Sequence, residues 1–215
     1  MMAVQLPGRE ARVNEAFIAN MDDLIGGIVE AMTPWLGKPY VIFGHSFGAI
    51  AGFEATRELR RRGLNQPLLL VPAGRQAPHL QDEDPPIASL PEEAFIAALQ
   101  KDYGEQIGPV LESAELREVF IPQIRADFSL AECYSFRAEQ PLDCPIAAFA
   151  GVSEKDLATD ELNAWSAHTS RNFRSRRFPG DHFFIRESQA LVIDAIAQEI
   201  ASVRGGRIAR VNLLA

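Results

Sequence analysis

The chain has 215 residues, 47% of them hydrophobic and 23% charged, enough for one domain with a sizeable core and too few for two comfortable ones. A formal charge of −8 at pH 7 argues against nucleic acid as the main partner, because phosphate binding needs Lys and Arg in excess and clustered. Ordinary contents of Gly (15) and Pro (14), with no low-complexity segment or fixed-period repeat, exclude collagen, solenoid and disordered classes.

Taken in chain order, residues 3–6 form a short apolar run stopped by Pro7 and Gly8, which reads as a strand ending in a turn. From 14 to about 32, Phe17, Ile18, Met21, Leu24, Ile25, Ile28, Val29 and Met32 recur at spacings of three and four, the signature of one helical face. A β-branched and aromatic run at 40–44 suits a strand buried in a parallel sheet, and a helix follows it to Gly63. Residues 68–71 and 146–151 are further strands, 173–178 is a weaker one, and a last helix runs from about 187 to 203. Alternating strands and helices predict an α/β fold with a mostly parallel central sheet and helices on both faces. The stretch at about 76–140 holds no convincing strand and reads as a helical lid insertion in a single domain spanning 1–215. Within it, Ser89 and Glu92 have capping-box spacing, and a second helix continues around Pro122. The tail at 204–215 lies outside the helical pattern and is expected to be mobile.

Arg57, Arg60, Arg61 and Arg62 close one helix, and Arg171, Arg174, Arg176 and Arg177 fall on the weak strand. Both clusters are expected to be solvated faces, with an anionic partner as the alternative. Cys133 and Cys144 form no CxxC pair, so free thiols in a reducing compartment are expected. No apolar run approaches the roughly 18 residues of a membrane span, and the start has no basic segment followed by an apolar one. A cytoplasmic protein without membrane contact is the expectation.

Gly44, His45, Ser46, Phe47 and Gly48 spell GxSxG. Small residues at these positions permit a turn sharp enough to thrust the central side chain out at the carboxyl end of a strand, and the setting between strand and helix is the context this motif requires. Ser46 is therefore the candidate nucleophile. A serine hydroxyl needs a base within hydrogen-bond reach. Of four histidines, His45 is expected to point away from Ser46, His79 lies in the insertion, and His168 follows Trp165 in a helix where a packing or surface role is the default. His182, on a glycine-containing loop after the last strand, is the preferred base. Chain order Ser, acid, His puts the orienting carboxylate between them, and the loop after 146–151 offers Glu154 and Asp156 without choosing between them. Asp181 reads as a surface residue.

VQLPGRE near the start, FGHSFGA at the turn, AGRQAPHL, LPEEAF, IRADFSLAECY, PLDCPI and PGDHFF occur in an order and spacing that resemble the type II thioesterases accompanying nonribosomal peptide and polyketide synthases. The resemblance implies an α/β-hydrolase fold with a helical lid. It also implies hydrolysis of acyl or aminoacyl thioesters on the phosphopantetheine arm of a carrier protein. It assigns Ser46 as nucleophile, His182 as base and the Phe47 backbone N–H as one oxyanion-hole donor. The family's acid is an aspartate three residues beyond a glycine; here Gly151 is followed at that offset by Glu154, with Asp156 as the fallback. The family also opens with an apolar strand and a Gly-rich oxyanion loop, and this chain begins after both. Loss of one oxyanion donor costs about 10²–10³ in rate, and a missing strand is expected to expose a pairing edge.

These observations lead to a carrier-protein thioesterase that needs no cofactor or metal and acts as a monomer. A general serine esterase or acyltransferase of the same fold is one alternative. A truncated, non-catalytic carrier-binding protein is the other.

Overall fold

The computed structural model describes residues 2–80 and 85–211. Its first helix, α1 (Met21–Met32), starts later than the apolar periodicity from 14 suggests, because Asn20 caps it. The Asn20 side-chain oxygen accepts the Asp23 N–H at 2.8 Å, and Asp22 and Asp23 suit the positive end of the helix dipole. The expected strand at 3–6 is absent. No strand lies alongside to pair with it among the described residues, and local groups satisfy its backbone instead: Arg12 Nη1 donates to the Gln5 carbonyl at 2.8 Å.

The remaining elements alternate. They are β1 (Ile42–His45), α2 (Phe47–Arg61), β2 (Leu70–Ala73), α3 (Glu92–Glu112), α4 (Ala114–Glu132), β3 (Ile146–Gly151), α5 (Thr159–Asn163), β4 (Phe173–Phe178), α6 (Phe184–Glu187) and α7 (Gln189–Val211). α3 bends at Tyr103, where φ is −131°, and the Ser113 hydroxyl caps α4 by accepting the Leu116 N–H at 3.2 Å. α7 outruns its expected end at 203 and continues through Gly205 to Val211, since glycine weakens a helix without stopping it as proline would. The mobile tail expected at 204–215 is thus helical backbone as far as 211, and 212–215 lie outside the described residues.

Two compact units form. One comprises Met1–Leu24 and Asp82–Ser135. Phe95, Leu99 and Ile121 are its buried centre, with Phe128 packed against them. The Arg125 guanidinium sits 4.1 Å above the Phe95 ring and donates to the Ala88 and Leu90 carbonyls, and Arg9 grips Asp127 with two bonds of 2.7 and 2.6 Å. The other unit, Ile25–Gln81 and Phe136–Ala215, holds the sheet.

Among the described residues the four strands are all parallel and ordered β1-β2-β3-β4, with Ile42 opposite Leu70, Leu70 opposite Ile146 and Ile146 opposite Phe173. Every position of β2 and β3 is buried, as expected of strands covered on both faces. Leu69, Val71, Phe149, Phe178, Phe184 and Val192 pack into one core, each contributing about 1.5–3 kcal/mol by leaving water. Among the described residues β1 pairs on one side only. The α/β architecture read from the sequence holds. Cys133 and Cys144 are free thiols; burial pushes the Cys144 thiol up to about 12.

The first arginine cluster needs correction. Arg57 is only 2% exposed and is no solvated residue. Its guanidinium reaches Glu54 and Glu139 at 2.7 Å each and the Arg137 carbonyl at 2.5 Å, and lies 5.3 and 5.4 Å from the Phe53 and Phe136 rings. Arg60 and Arg61 hold the outer side of Glu139, while Arg61 and Arg62 pair with Glu58. In the second cluster Arg171 precedes β4 and pairs with Asp143, and Arg177 turns onto backbone carbonyls rather than toward water. Replacing Arg57 by Leu removes the cation beside a carboxylate, Glu54, that is 8% exposed. The expected loss is about 3–5 kcal/mol in a urea titration, against at most about 1 kcal/mol for Arg61→Leu at the exposed edge of the same network.

Candidate active site

The site grows from the carboxyl end of the sheet. β1 ends at His45, Ser46 takes φ 54° and ψ −120°, and α2 begins at Phe47. A non-glycine residue with positive φ costs of order 1–3 kcal/mol, so this turn persists only because its surroundings over-determine it. Gly44 is one of them: a Cβ there would overlap the Gly48 carbonyl, so no larger residue permits so close a crossing of strand and helix. The Ser46 N–H donates to the Ala73 carbonyl at 2.8 Å, tying the turn to β2. Phe47 is the first residue of α2, and its N–H has no acceptor within the helix.

After β3 the chain makes a tight loop carrying Glu154. The Val152 and Ser153 N–H groups donate to the Phe178 and Gly180 carbonyls at 2.8 and 2.9 Å. From β4, Arg177 donates to the Gly151 and Leu157 carbonyls at 2.7 and 2.6 Å, gripping both ends of the loop. A Cβ on Gly151 would overlap the Asp181 carbonyl, so glycine is what lets this loop and the 179–183 loop touch. Glu154 is thereby turned inward: Oε2 accepts the Gly151 N–H at 3.1 Å and Oε1 meets His182 Nδ1 at 2.7 Å. The Glu154 side chain is 5% exposed. Since a carboxylate only accepts, Nδ1 is the donor in this bond, and Nε2 is the ring nitrogen on the side away from Glu154.

Of the two acids left open by the sequence, the structure brings Glu154 to His182, whereas Asp156 is exposed in the turn beyond it. Asp181 accepts the Phe183 N–H at 2.7 Å and so shapes the loop bearing His182. The His45 ring packs on the other imidazole: its Nε2 lies 2.7 Å from the His182 carbonyl and its ring centroid 4.7 Å from that of His182. No spacing in the sequence links positions 45 and 182. Burial first, and the neighbouring His182 charge second, push His45 down to about 4. The other two histidines pair with each other: His79 Nδ1 and His168 Nε2 meet at 2.7 Å, with Phe53, Trp165 and Phe136 packed around His168. His168 is buried, so of packing and surface it takes the packing role, and burial, then the charges of His79 and Arg57, push it down to about 4.

Among the described residues, no three His, Cys, Asp or Glu side chains converge as metal ligands, and no helix is long and apolar enough to cross a membrane.

A parallel sheet whose strand ends carry a strained serine turn, a carboxylate loop and a histidine loop in that order defines an α/β-hydrolase. The model of the thioesterase domain family matches residues 1–202, and the chain belongs to that family; it is a hydrolase of the thioesterase type. It is 34% identical over 206 residues to GrsT, the gramicidin S biosynthesis protein of Aneurinibacillus migulanus, covering 96% of this chain and 80% of that protein. Two solved structures superpose closely. RedJ, the thioesterase of the prodiginine biosynthetic pathway in Streptomyces coelicolor, is 31% identical with a TM-score of 0.83, covering 91% of this chain and 78% of RedJ. BorB, the type II thioesterase of the borrelidin biosynthetic cluster, is 30% identical with a TM-score of 0.80, covering 93% and 78% of the two chains.

The two depressed histidines set an acid limit on stability. Their folded values of about 4 lie below the ordinary 6.5, so between those limits the unfolded chain binds protons that the folded one does not. Their contribution is complete above pH 6.5 and is lost as the pH falls toward 4. Urea midpoints measured across this window are expected to drop steadily, with a shallower slope in His168→Gln.

Proposed function

We propose that this enzyme hydrolyses acyl or aminoacyl thioesters on the phosphopantetheine arm of carrier proteins, serving a nonribosomal peptide or polyketide synthase. Ser46, His182 and Glu154 form the triad in this reading, and the observation that carries it is the 2.7 Å bond from His182 Nδ1 to the inward-facing Glu154, together with a serine held at positive φ at the carboxyl end of β1. The named pathways of GrsT, RedJ and BorB supply the substrate class. The expected setting is cytoplasmic, with the enzyme acting as a monomer.

In the first half-reaction His182 Nε2 takes the Ser46 hydroxyl proton as Oγ attacks the thioester carbonyl. The carbonyl oxygen becomes an oxyanion, received by the free Phe47 N–H at the start of α2. Glu154 stabilises the imidazolium and holds its Nδ1–H in place. Collapse breaks the C–S bond; the pantetheine thiolate leaves and takes the proton from His182, and the acyl group stays on Ser46. Thiolate is a good leaving group, so this step leans less on the general acid than amide cleavage does. In the second half-reaction His182 deprotonates water, which attacks the acyl-serine and frees the carboxylic acid, and the proton returns to Oγ.

The test is steady-state hydrolysis of acyl-carrier protein beside simple acyl esters. Ser46→Ala and His182→Ala are each expected to lower kcat by about 10⁴–10⁶, and Glu154→Gln by about 10²–10⁴. Asp156→Asn is expected to stay within about twofold of the parent. Preference for free esters over the carrier-bound thioester would remove the carrier-protein assignment, and a larger loss in Asp156→Asn than in Glu154→Gln would move the acid.

A further inference from the structure

The imidazole of His45 has no step in the mechanism above, yet it is a half-buried titratable ring one residue from the nucleophile. Its Nε2 lies 2.7 Å from the main-chain carbonyl of His182. A carbonyl oxygen only accepts, so Nε2 carries a hydrogen and donates it. The two rings are 4.7 Å apart between centroids, and Phe183 and Phe184 close the other sides of the His45 ring at 6.4 and 6.0 Å. Room for both imidazoles comes from Gly74 at the end of β2: at φ +61° it has no Cβ, and one built there would stand 2.9 Å from His45 Nε2 and 3.3 Å from His182 Cε1.

This bond sets something the Glu154 contact leaves open. Glu154 turns the His182 ring through Nδ1 but does not fix where the His182 backbone stands relative to β1. His45 does so by the shortest covalent route available, since the residue donating to the His182 carbonyl is bonded directly to Ser46. We propose that His45 is a positioning residue that sets the separation of Ser46 from His182 through its Nε2–H bond to the His182 carbonyl. The proposal rests on the reading of Ser46 and His182 as nucleophile and base. The charged groups around the ring are His182, Glu154 and Arg186, and burial outweighs them all, holding His45 at about 4. It therefore keeps the neutral form with the hydrogen on Nε2, the donor this bond needs.

A displacement of about 1 Å between reacting groups costs on the order of 10² in rate. Three substitutions separate positioning from packing. His45→Leu keeps an apolar ring-sized body without the donor, His45→Gln places an amide N–H where Nε2 stood, and His45→Asn carries the same amide too short to reach. On acyl-carrier protein, His45→Leu and His45→Asn are expected to lose about 10–100-fold in kcat with KM within about twofold, and His45→Gln to recover at least about a third of the parent kcat. If His45→Leu does not fold, as judged by circular dichroism, the Gln and Asn pair still decides. Parent-like kcat in Leu or Asn, or equal losses in Gln and Asn, overturns the positioning role. Ser46→Ala and His182→Ala run alongside: if both are inactive while Asn at 45 turns over normally, only the positioning role fails. Activity persisting in those two alanine variants overturns the nucleophile and base assignment itself, and this proposal with it.

Discussion

Four parallel strands laid down in chain order are the constraint on which the candidate site depends. Parallel pairing sends every carboxyl end to the same edge of the sheet, so whatever follows each strand emerges beside its neighbours. His45 ends β1 and Ser46 follows it, Gly74 follows β2, Glu154 follows β3 and His182 follows β4. Residues more than a hundred positions apart meet because His45 stands opposite Ala73, Ala73 opposite Phe149, and Gly151 opposite Phe178. A one-residue slip in any of these pairings would turn the strand over and carry its loop away from the others.

On that edge the backbone is packed more tightly than side chains would allow. Gly44 against Gly48, Gly74 against two imidazoles and Gly151 against Asp181 are three places where a single Cβ would push neighbours apart. The strained φ of Ser46 is held by the same compression, together with the bond from its N–H to Ala73. Hydrogen bonds that leave little slack then fix the loops: Arg177 across the ends of the Glu154 loop, Asp181 within the His182 loop, and His45 between the His182 loop and the serine turn. The polar groups of the site are thus set by bonds to main-chain atoms, which move less than side chains do.

Much of this is legible in the sequence alone. The apolar runs that become β1, β2 and β3 stand out because strands buried on both faces must be apolar throughout, and GxSxG between a strand and a helix marks Ser46 because only small neighbours allow the turn. The strand at 173–178 was weaker to read, as an edge strand rich in arginine should be. Helix boundaries were less legible: periodicity extends α1 back to 14, but the Asn20 cap and its acidic first turn decide where it starts. The segment at 3–6 has the composition of a strand but, among the described residues, no partner to pair with. In sequence Arg57 resembles its less buried neighbours Arg60, Arg61 and Arg62, and only the return of the chain at Phe136 and Glu139 shows that it is covered.

By itself the sequence determined the α/β class, the serine turn and the histidine after the last strand, because each depends on local residue type or on the order of elements along the chain. The tertiary structure decided which acid faces His182, that Arg57 is buried, and that His45 lies against His182. Each of those facts is a contact between loops or elements brought together by strand pairing. Glu154 and Asp156 sit on one loop with the same charge, and nothing local separates them until the Gly151 N–H and Arg177 turn the loop so that one carboxylate points inward and the other stays in water.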